Sequence, residues 1–446
     1  MKTVLNKGEG NWFGKHCKTL LRGTGLILTG IAVGFLLLFA AFAIPDEPVF
    51  QHVRESLNTL QAEGDWPTIG WDNAGLDNYT DSWMLNIACQ PALGGVVDAA
   101  VYIYHGTDDF IDSQVEKLAE YVTARETGVT PPTLIRMPYS RYWHGYLVFL
   151  RPALVFMNYN EIRIANMFLQ FGLIVWLLYT ALRKVGRKYM LAIAAAIVFL
   201  TPAIMPLSMQ NATVFYITLV TLIVLLNHDE WLRKGDRYLL FFCLVGMVTS
   251  YMDFLTYPLV TLGLPLITML LLEKSCHTSD SVRITLHCIP AWGAGYGLMW
   301  AGKWGFGSLL VGKNLLRDAV HSIRFRAGDK LNTAYDSFSR ILPVEKNLSV
   351  MFSSVYLWVC ILILVALALM LLTRKASIKK TDATRHIPSL AIIAVTPFCW
   401  YVAAANHSFM HPSFTHRILA ITVFAILCIL LSLMEFRFEK EPITCN

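Results

Sequence analysis

Three carboxylates lie within ten residues of one another in segment 71–83, among aromatic and amide side chains. If a helix begins at Asp77, then Asp77 and Asp81 share one of its faces, because residues four apart are neighbours on a helix. Two like charges so close destabilise a plain helix. They suit a site that binds a divalent cation such as Mg²⁺ or Mn²⁺, or one that takes a proton from a hydroxyl group. The structural alternative is a solvated turn with Asp77 as the N-cap residue.

A second segment combines aromatic rings with cationic side chains. Its candidate residues are Arg141, Tyr142, Trp143, His144, Tyr146 and Arg151. Flat aromatic faces bind sugar rings, and arginine binds phosphate through paired hydrogen bonds. The same composition is also typical of an aromatic belt with snorkelling cations at a membrane boundary. We therefore expect either a sugar-phosphate site or a membrane-interface segment here.

A third segment contains three histidines within ten residues. Its candidate residues are Asn406, His407, His411, His416 and Arg417. A zinc-protease site is disfavoured, because the glutamate of an HExxH motif is absent and Pro412 interrupts any helix. Cationic groups at a membrane boundary instead predict binding of an anionic lipid headgroup, such as a phosphate leaving group. Packing of interfacial histidines is the structural alternative.

The elements that must position these groups are membrane-spanning helices. The chain has 446 residues, of which 55% are hydrophobic and only 15% are charged, against about 25% charged residues in a soluble protein. The apolar residues form runs of about 20, the length that crosses a bilayer core. We expect an all-α membrane protein with about ten transmembrane helices and no further domain in residues 1–446. The predicted spans are approximately 24–44, 162–182, 189–207, 211–227, 237–251, 255–272, 284–302, 351–373, 387–405 and 416–435.

Basic residues predict the direction of these spans. Lysine and arginine occupy alternate short links, which places both termini in the cytoplasm by the positive-inside rule. The net charge of +6 is explained by this topology, so we expect no nucleic-acid partner. Two long segments, 45–145 and 303–350, then lie outside the membrane, together with the short link that contains Asp253. The candidate clusters all fall on this outer side, and Asp46 with Glu47 forms an acidic pair there just after the first span.

This arrangement resembles the GT-C class of membrane glycosyltransferases. The resemblance rests on one first span, a long outer loop with carboxylates and a bundle of further spans, and on segments 77–81, 142–146 and 406–417. It implies a bacterial cytoplasmic-membrane enzyme that uses a polyprenyl-phosphate-linked sugar on the extracytoplasmic face. The acidic pair usual at the catalytic position of that class is not evident here. Asp77 and Asp81 are separated by three residues, and Asp46–Glu47 is an alternative.

On this reading, a sugar moves with inversion to a cell-envelope glycan or polymer. Asp77 or Asp81 would act as the base, with or without Mg²⁺ or Mn²⁺. Arg141, Arg151 or Arg417, with His407 or His411, would bind the donor phosphate, and the aromatic residues of the second segment would stack on the sugar. Two alternatives stay open: a transporter or flippase of lipid-linked saccharide, and a polymerase or ligase of the O-antigen type.

Overall fold

The computed structural model describes residues 6–71, 74–92, 94–105, 113–129, 137–235, 237–273, 277–330, 337–353 and 355–437. Most of these residues are helical, which confirms the all-α prediction. Six helices in this part of the chain are long and apolar enough to cross a membrane. These spans are Lys18–Phe42, Tyr159–Val185, Met209–Leu232, Val355–Leu372, Asp382–Ala403 and Pro412–Ser432. The chain is therefore an integral membrane protein by the length and composition of its helices.

The helices follow one another along the chain with few strands. They are α1 (Asn6–Phe42), α2 (Asp46–Glu63), α3 (Asn78–Cys89), α4 (Val96–Tyr102), α5 (Gln114–Thr127), α6 (Leu147–Leu154), α7 (Tyr159–Val185), α8 (Arg187–Val198), α9 (Met209–Leu232), α10 (Arg237–Met252), α11 (Val260–Leu272), α12 (Thr278–Val311), α13 (Leu316–Ala327), α14 (Leu342–Met351), α15 (Val355–Leu372), α16 (Ile387–Ala403), α17 (Ala405–Met410), α18 (Pro412–Thr415) and α19 (Ala420–Ser432). Short 3₁₀ turns lie at Met205–Leu207, Asp382–His386 and His416–Leu419. Two antiparallel strand pairs join β1 (Tyr104–His105) to β2 (Met137–Pro138) and β3 (Ala376–Ile378) to β4 (Met434–Phe436).

The predicted count of ten spans is not confirmed. Helices α8, α10 and α11 have 12, 16 and 13 residues, which is short of the roughly 20 that cross a hydrocarbon core. Helix α12 has 34 residues, but it is not among the six helices that are long and apolar enough to cross a membrane. Apolar runs in the sequence could not separate these helices from true spans, because a helix buried among other helices is apolar all round.

Close helix contacts hold α10 against α12. A Cβ atom added at Gly246 would meet the carbonyl of Trp292, and one added at Gly295 would meet the carbonyl of Cys243. Both positions therefore require glycine, and the two backbones approach as membrane helices do at small residues. In contrast, the side chains of α15 are largely exposed and only Tyr356 is buried, so α15 presents an apolar surface suited to lipid.

Segments predicted on the same side of the membrane contact one another. On the predicted outer side, the amide of Gly145 donates to the carbonyl of Tyr251 at 2.9 Å. On the predicted inner side, Arg233 pairs with Glu273, and strand β3 pairs with β4 next to the C-terminus. These contacts agree with the prediction that successive helices cross the membrane in alternating directions. That the outer group faces away from the cytoplasm stays a prediction.

Segment 45–145, the predicted first outer loop, folds into helices against the bundle. Helix α2 follows the first span directly and contacts α3, α5 and α6. Helix α5 is amphipathic, with Val115, Leu118 and Val122 buried at helical spacing. Segment 146–158 forms the separate short helix α6, packed on α1 and α2. This packing brings the carboxylates of α3 to the ends of the membrane helices.

Candidate functional site

A short link between α10 and α11, residues 253–258, joins the second and third predicted clusters. The ring of Phe254 lies 5.5 Å from that of Tyr142 in the second cluster. The next residue, Leu255, accepts a 2.6 Å hydrogen bond at its carbonyl from Nε2 of His407 in the third cluster. Tyr257 lies under the guanidinium of Arg417, with 5.9 Å from Cζ to the ring centroid. The second and third clusters, far apart in sequence, thus meet around one link.

The aromatic groups form a packed cage around Phe254. Its centroid lies 4.9 Å from that of His144 and 5.1 Å from that of Tyr146. His144 has a left-handed backbone with φ 57°, a conformation that costs a non-glycine residue roughly 1–2 kcal/mol. Tyr139 packs against His144 from the other side, at 5.3 Å. Tyr142, His144 and Tyr146 are buried, so they shape a wall of the site and expose little ring surface.

Arg326 is held by two neutral histidines. Its Nη1 donates to Nδ1 of His407 and to Nε2 of His411, each at 3.0 Å. Burial and the charge of Arg326 lower the pKa of His411 to about 4. Burial, with the proximity of His411 and Arg326, holds the pKa of His407 well below its usual value. The histidines therefore act as acceptors, and no carboxylate in the described ranges pairs with Arg326.

Arg417 is a buried cation with spare donors. Its side chain is 1% exposed, and only Nη1 has a partner, the carbonyl of Ser413 at 2.9 Å. Its Nε and Nη2 atoms have no hydrogen-bond partner among the residues described. A buried charge without partners is costly, so this guanidinium favours an anion that is not part of the chain. Asp77 lies within electrostatic reach of it.

Asp77 is the N-cap residue of α3. Its carboxylate accepts from the amide and from the hydroxyl of Thr80, each at 2.9 Å. The structural alternative from the sequence is therefore correct as far as the cap is concerned, although the turn is buried and not solvated. Burial, reinforced by the charge of Asp81, raises the pKa of Asp77 to about 7, against the opposing effect of the Thr80 hydrogen bonds. A carboxyl group with that pKa is suited to proton transfer near neutrality.

Asp81 is saturated with hydrogen bonds. It accepts from the hydroxyl of Tyr159 at 2.5 Å and from the amides of Met209 and Gln210 at 2.8 and 2.9 Å. These amides are the first of α9, so Asp81 compensates the positive end of that helix dipole. Burial raises its pKa, although these bonds oppose the shift. Its oxygens are engaged in joining α3 to α7 and α9, which favours a structural role over that of a base.

The donor set does not fit the predicted metal site. No group of three histidine, cysteine, aspartate or glutamate side chains in the described ranges could hold a metal ion. Both oxygens of Asp81 already accept protein hydrogen bonds, and Asp77 binds its own helix start. Asp72, the third carboxylate of that segment, lies outside the described residues. We therefore derive no step through Mg²⁺ or Mn²⁺.

Three predicted ligands of the second segment are used elsewhere. Trp143 is fully buried in the core and donates to the carbonyl of Met299 at 2.9 Å, so it cannot stack on a sugar. Arg151 donates to backbone carbonyls, including those of Ala41 and Ile44 at 2.9 and 2.8 Å. It also reaches the carbonyls that end α3. Such a cation at helix C-termini stabilises them. Arg141 forms an exposed ion pair with Asp318 at 3.3 Å.

The rest of the third segment is buried beside Arg417 and Arg326. Asn406 donates to the carbonyl of Lys330 at 2.5 Å, which ties α17 to the end of the α13 segment. His416 donates from Nδ1 to the carbonyl of Pro412 at 2.8 Å, and its Nε2 has no partner among the residues described. This nitrogen belongs to no group of metal-ligating side chains in the described ranges.

Two other acidic candidates have protein partners. Asp46 and Glu47 pair with Arg125 at 2.7 and 3.0 Å, so the adjacent acidic pair is an ion-pair site between α2 and α5. Asp253 accepts from the amide and hydroxyl of Thr256 at 3.1 and 2.5 Å, which closes the turn of the 253–258 link. Burial raises the pKa of Asp253 to about 6.

Sequence reasoning missed Arg326 and Tyr257 as members of the site. Arg326 was only one of several cations in the basic 303–350 segment, and no local pattern distinguishes it from its neighbours. Tyr257 lies in the short link that contains Asp253, where its local sequence carries no signal of a site. Their positions depend on contacts across the fold, with His407 and Arg417.

No family model, curated protein or solved structure matches the chain.

Proposed function

We propose that the protein is a membrane glycosyltransferase that moves a sugar from a polyprenyl-phosphate donor to a cell-envelope glycan. The observation that carries the proposal is the buried guanidinium of Arg417, with two unpaired donor nitrogens and no carboxylate partner in the described ranges. A phosphate would satisfy both the charge and the donors, since arginine binds phosphate oxygens through its paired N–H groups. Asp77, which lies within electrostatic reach of Arg417, would supply a carboxylate that accepts a proton.

In this proposal Asp77 accepts the proton of the acceptor hydroxyl. The hydroxyl oxygen forms a bond to the anomeric carbon of the donor sugar, on the face opposite the leaving group. The bond between that carbon and the phosphate oxygen breaks, and its electron pair leaves with the polyprenyl phosphate. A base of this kind contributes about 10²–10⁴ in rate. Inversion follows from a single displacement.

The arginines would stabilise the departing charge. Arg417 offers two free donor groups, and Arg326 is already oriented by His407 and His411. Preorganised cations need little rearrangement as charge develops on the phosphate, which is the usual source of electrostatic catalysis. The histidines are neutral in this arrangement, so they would position Arg326 and would not themselves bind the phosphate as cations.

The aromatic cage would line the sugar side of the site. Tyr142 and Tyr146 pack around Phe254, which belongs to the same 253–258 link as Tyr257. Because these rings are buried, they would bound the space for the sugar and would not stack on its faces. Trp143 is not included, because it is part of the core.

The proposal is tested by incubating the purified full-length protein with a panel of radiolabelled polyprenyl-phosphate sugars and envelope glycans. Transfer of one sugar to the glycan, with release of polyprenyl phosphate, is expected for one donor of the panel. The Arg417→Gln variant should lose this transfer, while the Arg141→Gln variant should retain it. The absence of turnover with every donor would reject a transferase of this type.

The same purified protein and labelled donors distinguish single-sugar transfer from the activity of a polymerase or ligase and from that of a transporter or flippase. A polymerase or ligase would move a whole glycan, so the product would grow by many sugar units in one step. A transporter or flippase would move labelled lipid-linked saccharide across the membrane of sealed vesicles without forming a new glycosidic bond. Either result would replace single-sugar transfer as the activity.

A further inference from the structure

Helix α13 presents an apolar stripe that no other described helix covers. Leu316, Val320 and Ile323 are exposed on it, at spacings of four and three residues. With about 100° of rotation per residue, these three side chains lie within roughly 60° of one another. The end of α12 just before it is also exposed and apolar, at Leu309 and Leu310. Exposed apolar side chains therefore lie on both sides of the turn between α12 and α13.

A second stripe on α13, the cationic stripe, carries the charges of two arginines with a histidine between them. Arg317, His321 and Arg324 are all exposed, and each follows a member of the apolar stripe by one residue. The cationic stripe therefore lies about 100° around the helix from the apolar one. An apolar stripe flanked by basic residues is the pattern of a helix that lies in the membrane interface.

The remaining side of α13 is attached to the protein. Ala319 is buried, and Arg326 on the same side donates to His407 and His411. This side lies roughly opposite the cationic stripe. Because the helix is anchored there, its apolar and cationic stripes are held outward in a constant orientation.

We infer that α13 is an interfacial helix that inserts its apolar stripe into the bilayer surface and binds anionic lipid headgroups with Arg317 and Arg324. An anionic polymer would satisfy the cationic stripe but would leave Leu316, Val320 and Ile323 in water. A lipid surface satisfies both stripes, and the lipid-facing end of α12 leads directly to it. The inference does not depend on the proposed sugar transfer.

The test uses the full-length protein in vesicles, with an environment-sensitive fluorophore attached at position 320 through a non-natural amino acid. The vesicles contain phosphatidylcholine with about one third phosphatidylglycerol, and either lipid is brominated in its acyl chains. Brominated lipid should quench the label, and brominated phosphatidylglycerol should do so beyond its share of the lipid. Equal quenching by the two lipids at equal content would overturn headgroup binding, and no quenching would overturn insertion.

Two pairs of variants show whether the lipid preference depends on the positive charges of α13 or on an altered structure. Each basic residue near an anionic surface contributes about fivefold in affinity, so Arg317→Gln with Arg324→Gln should weaken the preference for phosphatidylglycerol roughly 25-fold. The Arg317→Lys and Arg324→Lys pair should retain most of it. If dextran sulfate in the buffer shifts the label while neither brominated lipid quenches it, the stripe binds a polymer and the inference fails.

Discussion

Tyr159 donates a 2.5 Å hydrogen bond to Asp81 and thereby joins the first transmembrane helix after the long loop to the loop helix α3. Asp81 also accepts from the first amides of α9. Its neighbour four residues earlier, Asp77, contacts only its own helix start through side-chain hydrogen bonds. Two carboxylates on one helix face thus have different surroundings, and different consequences follow when each is replaced.

Replacement of Asp81 should lower stability. An Asp81→Asn change removes the charge opposite the α9 amides and places an amide donor beside another donor, at a cost of about 3 kcal/mol. We expect a lower thermal unfolding midpoint in detergent. Tyr159→Phe removes one of the three bonds and should lower the midpoint by less. An Asp81→Asn protein as stable as the wild type would contradict the structural role.

Replacement of Asp77 should reduce activity and leave the fold intact. Asparagine and serine are as good at an N-cap as aspartate, but neither accepts a proton at neutral pH. Sugar transfer by Asp77→Asn and Asp77→Ser should therefore fall by about 10²–10⁴, with circular dichroism unchanged. In the wild type, kcat should rise with pH through about 7, where the carboxyl group ionises. Normal turnover in both variants would exclude Asp77 as the base.

Asp77 should also give a pH-dependent stability difference. Its pKa is raised in the folded state from 3.8 to about 7, so the folded protein binds more protons than the unfolded chain between these values. The associated stability is present below pH 4 and is lost as pH rises to 7, by roughly 4 kcal/mol. The stability of Asp77→Asn relative to wild type should thus increase from pH 4 to pH 8, measured as the difference in unfolding midpoints.

The histidines should act in the opposite direction over the same range. The pKa of His411 is lowered from 6.5 to about 4, so the unfolded chain binds more protons between these values. The folding stability that neutral His411 contributes is lost as pH falls from 6.5 to 4. A wild-type pH profile therefore combines two opposing effects. The His411→Gln variant should lose less stability on acidification than the wild type. If both proteins lose the same stability between pH 6.5 and 4, neutral His411 is not the acceptor for Arg326.

Replacement of the site arginines should weaken donor binding. Removing a buried charge-assisted contact to phosphate costs about 2–3 kcal/mol, or roughly 30- to 150-fold in affinity. We expect this for Arg417→Gln and Arg326→Gln in equilibrium binding of a polyprenyl phosphate. Arg141→Gln is the matched control, because its ion pair with Asp318 is exposed and contributes little. Equal affinities for all three variants and the wild type would remove the phosphate role.

Much of this architecture could be predicted from local sequence. A transmembrane helix is recognised from composition alone, because a run of about 20 apolar residues has few other stable environments. The cap at Asp77 could be recognised too, since capping depends on three or four neighbouring residues. The four uncertain spans could not be resolved in the same way. Apolar composition does not distinguish contact with lipid from contact with other helices, as α10 against α12 illustrates.

The residue types available for chemistry, and the membrane helices that carry them, can be recognised from the amino-acid sequence. Which of these residues are used for packing depends on contacts across the fold. Arg151 and Arg417 are both buried arginines in apolar surroundings, yet Arg151 donates to the carbonyls that end α1 and α3 while Arg417 retains two free donors. The physical reason is that a hydrogen bond depends on distances of about 3 Å between atoms, and helices far apart in sequence supply those atoms.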